Sequence, residues 1–162
     1  MSATRPDRRE LEAAGYEQVH VELARWDGPR EGIGDIGGVP HYFSSTFGEA
    51  GEAGDFLVRP VTAAVFALER ELYAITTAWE RRLQAGEADR DSNPRNGGVD
   101  ARHDELTELL APHREVPEGA RRPAARMRSV QEQSFQAERT NYLMLWRPAG
   151  RDLPPRSGAG AP

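Results

Sequence analysis

Near the start of the chain, apolar and polar residues alternate. From Tyr16 to Trp26, Val19, Val21 and Leu23 fall on one face and His20, Glu22 and Ala24 on the other. A period of two predicts a half-buried strand. Asp27-Gly28-Pro29-Arg30 reads as a turn. Two short β-prone runs, Gly32–Ile36 and Val39–Phe43, then flank Gly37-Gly38, the pattern of a two-residue hairpin. Pro40 has no N–H for a ladder, so its strand lies at an edge or begins there. Residues 48–54 hold three glycines and two glutamates and predict an exposed loop. Phe56-Leu57-Val58 is a further short strand.

The period changes after Pro60. Thr62 is suited to capping a helix. Beyond it Val65, Leu68, Leu72, Ile75, Trp79 and Leu83 recur at spacings of three and four, which predicts an amphipathic helix from about Thr62 to Ala85. Glu69, Arg70, Glu80, Arg81 and Arg82 lie off that stripe and mark a solvated face. Gly86 ends the helix, and residues 86–100 have Val99 as their one large apolar side chain, so they read as a mobile loop. A short helix over Ala101–Leu110 carries Leu106, Leu109 and Leu110 and stops at Pro112. In it His103 reads as a residue of the helix start. Residues 112–124 are linker-like. Arg126–Phe135 and Asn141–Arg147 predict two more strands.

These elements predict an α+β fold: an antiparallel sheet of about five to six strands, one long amphipathic helix packed across it and a short second helix. A doubly wound parallel sheet is excluded, because strands and crossover helices do not alternate. Residues 1–15 read as a flexible N-terminal arm holding one short helix, with Asp7 and Glu10 as a capping box and Gly15 as its stop. Residues 16–147 form the single α+β domain. The stretch 148–162 is rich in Pro, Gly and Ala and reads as a disordered tail.

Composition narrows the chemistry. The 162 residues include no Cys, and all 21 basic residues are Arg. Thiolate nucleophiles, Cys-ligated metal centres, Schiff-base lysines and phosphate-binding lysines are therefore excluded. No apolar run approaches a membrane span. The start Met1-Ser2-Ala3-Thr4-Arg5 has no secretory apolar region and reads as cytoplasmic. Charge is uneven. Residues 1–111 hold 12 arginines against 21 acids, whereas residues 112–162 hold 9 against 5. The basic C-terminal part either meets an anionic partner or neutralises the acidic body of its own domain.

Gly32-Ile33-Gly34-Asp35-Ile36-Gly37 matches G-x-G-x-x-G. A dinucleotide fingerprint needs a helix directly after it, and here Gly38, Val39 and Pro40 open a strand instead. A kinase loop needs a lysine. The motif therefore reads as a hairpin, and the sequence implies no cofactor. The turn Trp26-Asp27-Gly28-Pro29-Arg30, the Gly-rich hairpin and Pro40-His41 resemble a group of small uncharacterised bacterial proteins. That resemblance spans about residues 16–85 and implies a shared fold but no particular chemistry.

The four histidines show no metal-ligand spacing, so no metal site is expected. His20 and His41 fall on neighbouring predicted strands. With Asp35 they are the candidates for general acid–base chemistry at the mouth of the sheet. Tyr42, Trp26, Arg30 and Arg126 are the candidate binding residues. Aromatics on strands fill a core or line a small-molecule pocket. Arg121, Arg122, Arg126 and Arg128 form the densest basic cluster, but no aromatics are interleaved with them, which disfavours a nucleic-acid platform. Two readings follow. The first is a binding module for a protein or a small-molecule ligand. The second is a small-molecule enzyme using His41, Asp35 and His20.

Overall fold

The computed structural model describes residues 4–25, 29–46, 53–115, 117, 119–131 and 139–147. Six antiparallel strands run in sequence order: β1 (Glu17–Arg25), β2 (Pro29–Ile36), β3 (Val39–Ser45), β4 (Ala53–Pro60), β5 (Ala124–Ser129) and β6 (Tyr142–Arg147). The α+β class is as expected. The sheet, however, closes into a barrel, with β6 returning to pair with β1. Between β4 and β5 the chain makes helices α2 (Ala63–Gln84) and α3 (Ala101–Leu110). Of the turn expected at Asp27–Arg30, Pro29 and Arg30 belong to β2, and of the loop expected at 48–54, Ala53 and Gly54 belong to β4; residues 26–28 and 47–52, the predicted strand beyond Gln131 and the tail from Pro148 lie outside the described residues.

The glycine motif has a packing role. Gly32 pairs with Phe43 and Gly34 with His41 across the β2–β3 ladder. A Cβ on Gly32 would lie 2.3 Å from the Val21 carbonyl oxygen and 2.8 Å from Phe43 Cζ. The Phe43 ring therefore occupies the space that a β2 side chain would need. That ring meets Phe56 edge-on at 5.5 Å and Trp146 at 5.9 Å. Val19, Val58, Ala125, Tyr142 and Met144 complete this buried interior. The aromatics at Phe43, Phe56 and Trp146 are thus barrel core rather than the lining of a pocket. Gly37 and Gly38 do form the predicted turn, at φ of +61° and +77°, the positive values that a type I′ hairpin turn requires at both positions. Glu17 accepts hydrogen bonds from both of their N–H groups, at 3.0 and 2.7 Å.

A bulge in β1 corrects the predicted alternation. Val19 pairs with Gly34 but Val21 pairs with Ile33, so the ladder slips at His20. In an unbroken strand Val19 and Val21 would share a face. Here Val19 enters the barrel core, while Val21 packs outside it with Ile33, Tyr42 and the helix residues Val65, Phe66 and Tyr73. Extra residues of this kind bend a strand and re-aim its side chains, and the second half of β1 consequently faces α2.

Helix α2 begins at the expected cap, with Thr62 Oγ1 accepting from Val65 N–H, and Gly86 follows its end at φ +74°. Its apolar stripe is shared between the barrel and α3. Val65 reaches both, whereas Leu72, with Leu68 and Ile75, packs against Leu106 and Leu110 of α3. The barrel receives a mixed face that includes Phe66, Glu69 and Tyr73. The N-terminal segment is likewise docked rather than a loose arm. Helix α1 (Arg8–Ala13) has the predicted Asp7/Glu10 capping box, and Leu11 is buried against Val130 and Leu143. Arg8 Nη2 donates to the Thr140 carbonyl at 2.9 Å.

The two kinds of glycine should differ in cost. Gly32→Ala should be severely destabilising, because its Cβ meets backbone that cannot move without breaking the ladder. Gly37→Ala meets nothing within 4 Å and should cost only about 1 kcal/mol or so for its positive φ. Urea denaturation of both variants checks this; equal losses would mean that the Gly32 contact relaxes freely.

Candidate functional site

The site grows from one residue. Glu69, expected on the solvated face of α2, is fully buried. Helical geometry explains why. Val65, Glu69, Leu72 and Thr76 follow one another at spacings of four, three and four, so they share a face. An ionised carboxylate in such a place must be paired and hydrogen-bonded. Glu69 Oε1 accepts from Tyr42 Oη at 2.7 Å and from Arg114 Nε at 2.8 Å. Its Oε2 accepts from Arg114 Nη2 at 2.9 Å. The network joins β3, α2 and the short 3₁₀ turn Ala111–Arg114 that follows α3.

Charges in this network support one another. Burial, and then the adjacent Glu69 carboxylate, push the Tyr42 phenol well above its ordinary range, so it stays a donor. Burial works against the Arg114 charge, but the hydrogen bonds and charge of Glu69 outweigh it. The guanidinium ends up more basic than an ordinary arginine.

In front of this pair lies a cavity of about 260 Å³ between β1, α2 and α3. Strand β1 supplies Val21, Glu22 and Leu23, brought there by the bulge. Leu72, Tyr73 and Thr76 from α2, His103 and Thr107 from α3, and Arg95, Glu69 and Arg114 complete the wall. The hydroxyls of Thr76 and Thr107 donate to their own helix, at Leu72 O and His103 O. His103 does lie in the first turn of α3, as expected, and its side chain is buried. Desolvation lowers its pKa, against the partial opposition of Asp100 and Asp104. The true N-cap of α3 is Asp100, whose Oδ1 accepts from His103 N–H at 2.9 Å.

Arg95 is placed by the segment expected to be a mobile loop. That segment is tied down at several points. Trp79 Nε1 donates to Ser92 Oγ at 3.0 Å, Gly98 N–H donates to Asp104 Oδ2 at 2.8 Å, and Pro94 is buried. The segment is largely exposed, as its polarity implies, but it is held in place by these contacts.

The residues singled out from sequence are dispersed. His20 and Asp35 do meet, Nε2 to Oδ1 at 2.8 Å, beside the Phe66 ring of α2. His41 does not join them. It is paired with Gly34, on the inward-facing register of β3 that carries Phe43. Its Nδ1 lies 2.6 Å from the Val39 carbonyl oxygen. Asp35 is in register with Pro40, on the opposite face of the ladder from His41. The expected three-residue constellation therefore reduces to a pair, and neither His20 nor Asp35 lines the cavity. Of the candidate binding residues, Tyr42 supports the cavity through Glu69. Arg30 donates to Ser45 Oγ at 3.3 Å, Arg126 is exposed on β5, and Trp26 lies outside the described residues. Among those residues no group of three or more His, Asp or Glu side chains is arranged to hold a metal ion. Among the described residues no helix is long and apolar enough to cross a membrane.

Sequence reasoning missed Glu69, Arg95, Arg114 and the role of His103. A charged residue in step with Val65, Leu72 and Thr76 was a readable signal for Glu69. Nothing local marks Arg114, whose partner lies 45 residues away. Comparison with protein-family models, curated proteins and solved structures finds no match, so the functional reading rests on this geometry.

Two outcomes follow from the network and its neighbour. Glu69→Ala should cost about 3–5 kcal/mol, since it leaves the Arg114 guanidinium without its buried partner. The check is chemical denaturation of Glu69→Ala beside Glu71→Ala. Glu71 is an exposed partner of Arg102, and its loss should be far smaller. For His103, the folded value lies below the ordinary 6.5. As pH falls through about 6.5 the unfolded chain takes up a proton that the folded chain refuses. This contribution to stability is therefore lost on acidification and levels off below the folded value. His103→Gln should lose less stability than wild type between about pH 7 and pH 5; parallel profiles would contradict the assignment.

Proposed function

We propose that the protein is a small-ligand-binding module whose site is the cavity between β1, α2 and α3. The observation that carries this reading is a buried, bidentate Glu69–Arg114 pair set in the wall of an open cavity. A buried ion pair has a desolvation cost that a purely structural contact need not bear. One that borders a cavity can instead hold a polar group ready for a ligand. The wall mixes apolar surface from Val21, Leu23 and Leu72 with a few convergent polar groups, which is the usual make-up of a small-molecule site.

Binding is favoured over catalysis by the state of the lining groups. The Glu69 carboxylate is committed to three hydrogen bonds. The Thr76 proton goes to the Leu72 carbonyl, and the Thr107 proton goes to the His103 carbonyl at 2.7 Å, closer than the His103 ring nitrogen at 3.4 Å. A nucleophilic hydroxyl needs a base positioned to take its proton. The His20–Asp35 pair supports a second reading, an acid–base enzyme working on the other side of α2. Its 2.8 Å contact and partial exposure are the favouring observation.

A screen of small polar compounds against the ¹⁵N-labelled protein separates the two. The binding reading expects saturable amide shifts in Val21–Leu23, Leu72–Thr76 and His103–Thr107. Hits that instead shift His20, Asp35 and Phe66 would transfer support to the enzyme, and a screen without hits in either region would remove both.

A further inference from the structure

A guanidinium has two edges that can each grip a pair of oxygens. In Arg114 the side-on edge, Nε and Nη2, is taken by Glu69. The end-on edge, Nη1 with the second hydrogen of Nη2, has no hydrogen-bond partner among the described residues. The Arg114 side chain keeps 28% exposure while Glu69 has none, and Arg114 lines the cavity. One edge of the fork is therefore buried and fixed, and the other is open.

The rest of the lining bears on the ligand's charge. Arg95 stands on the same wall, 53% exposed, with a 3.5 Å contact to Glu80. Glu69 and Glu22 balance the two arginines in formal charge, but both are engaged: Glu69 by three hydrogen bonds, and Glu22, half-buried on the β1 side, by an interaction of its own. The His103 ring, held toward its neutral form by burial, adds a hydrogen-bonding group without a competing charge. What the lining leaves open is a guanidinium edge with paired donors, which matches the paired oxygens of an anion.

We propose that the cavity takes a small molecule bearing a carboxylate or phosphate group, gripped by the end-on edge of Arg114 and met at the rim by Arg95. This rests on the cavity being the ligand site. Two coplanar carboxylate oxygens match the end-on edge, and so do two oxygens of a phosphate. Val21, Leu23 and Leu72 cover the remainder of the ligand.

The test titrates the full chain with succinate, inorganic phosphate and succinamide, the last a neutral match for succinate. Arg Nε–H and backbone amide shifts are followed by NMR. Succinate or phosphate should shift Arg114 Nε–H and the cavity amides saturably, and succinamide should not. Whichever anion binds tighter identifies the source of the group. Arg95→Gln, at an exposed rim position, should weaken binding about ten-fold. Arg114→Lys keeps the charge but loses the fork, and should weaken it at least as much. If Arg114→Lys proves unfolded by circular dichroism, Arg95→Gln still decides. Anion binding unchanged in Arg95→Gln, or shifts confined to the exposed Arg126 and Arg128, would overturn the proposal. Succinamide binding in the cavity as tightly as succinate would overturn the anion class and leave the ligand site standing. No cavity shift with any probe, together with no cavity hit in the broader screen, would overturn the ligand site itself.

Discussion

A single buried carboxylate sets the terms for the helical half of this molecule. Glu69 has no access to water, and an unpaired charge there would be prohibitively costly. It is tolerated because Tyr42 and Arg114 arrive from β3 and from the turn after α3. Each comes from a different packing layer. Seating Glu69 therefore fixes how α2 lies on the barrel and where the chain leaves α3. Leu68, Leu72 and Ile75 of α2 then face Leu106 and Leu110 of α3.

The barrel meets a different constraint, which is space. Six strands enclose little volume, and Phe43, Phe56 and Trp146 occupy much of it. Gly32 and Gly34 present no side chain where the Phe43 ring lies. The bulge at His20 then turns β1 outward, so that Val19 serves the interior and Val21 serves the helix. The same irregularity exposes Glu22 and Leu23 to the cavity. The bulge thus shapes the cavity wall, while the barrel is closed by β1 pairing with β6 at Glu17 and Gln18.

The cavity lies where three differently constrained surfaces meet: a bent strand, a helix with a buried charge and a second helix capped by Asp100. Its polar groups are held from behind. Tyr42 and Glu69 orient Arg114, and the hydrogen-bonded segment between α2 and α3 carries Arg95 to the rim. Preorganisation of this kind is what lets a small site hold a ligand at low entropic cost. His41, in contrast, is set among the core-facing residues of β3, away from the His20–Asp35 pair.

Local patterns in the sequence determined the local elements. Alternation gave the strands, the 3.6-residue repeat gave α2, and Thr62, Asp7 with Glu10, and Gly37-Gly38 marked caps and a turn that are all present. Each depends on neighbours within a few residues, so it is written in short windows. Barrel closure depends on β1 meeting β6, more than a hundred residues away. The burial of Glu69 depends on Tyr42 and Arg114, 27 and 45 residues distant. The bulge at His20 depends on how β1 must fit against β2. Residues 86–100 are largely exposed, as their polarity implies, but what holds them in place is hydrogen bonding to Trp79 and Asp104, partners outside the segment. The tertiary structure alone decided these, because a polar residue's partner, unlike an apolar residue's preference for burial, is not encoded beside it in the chain.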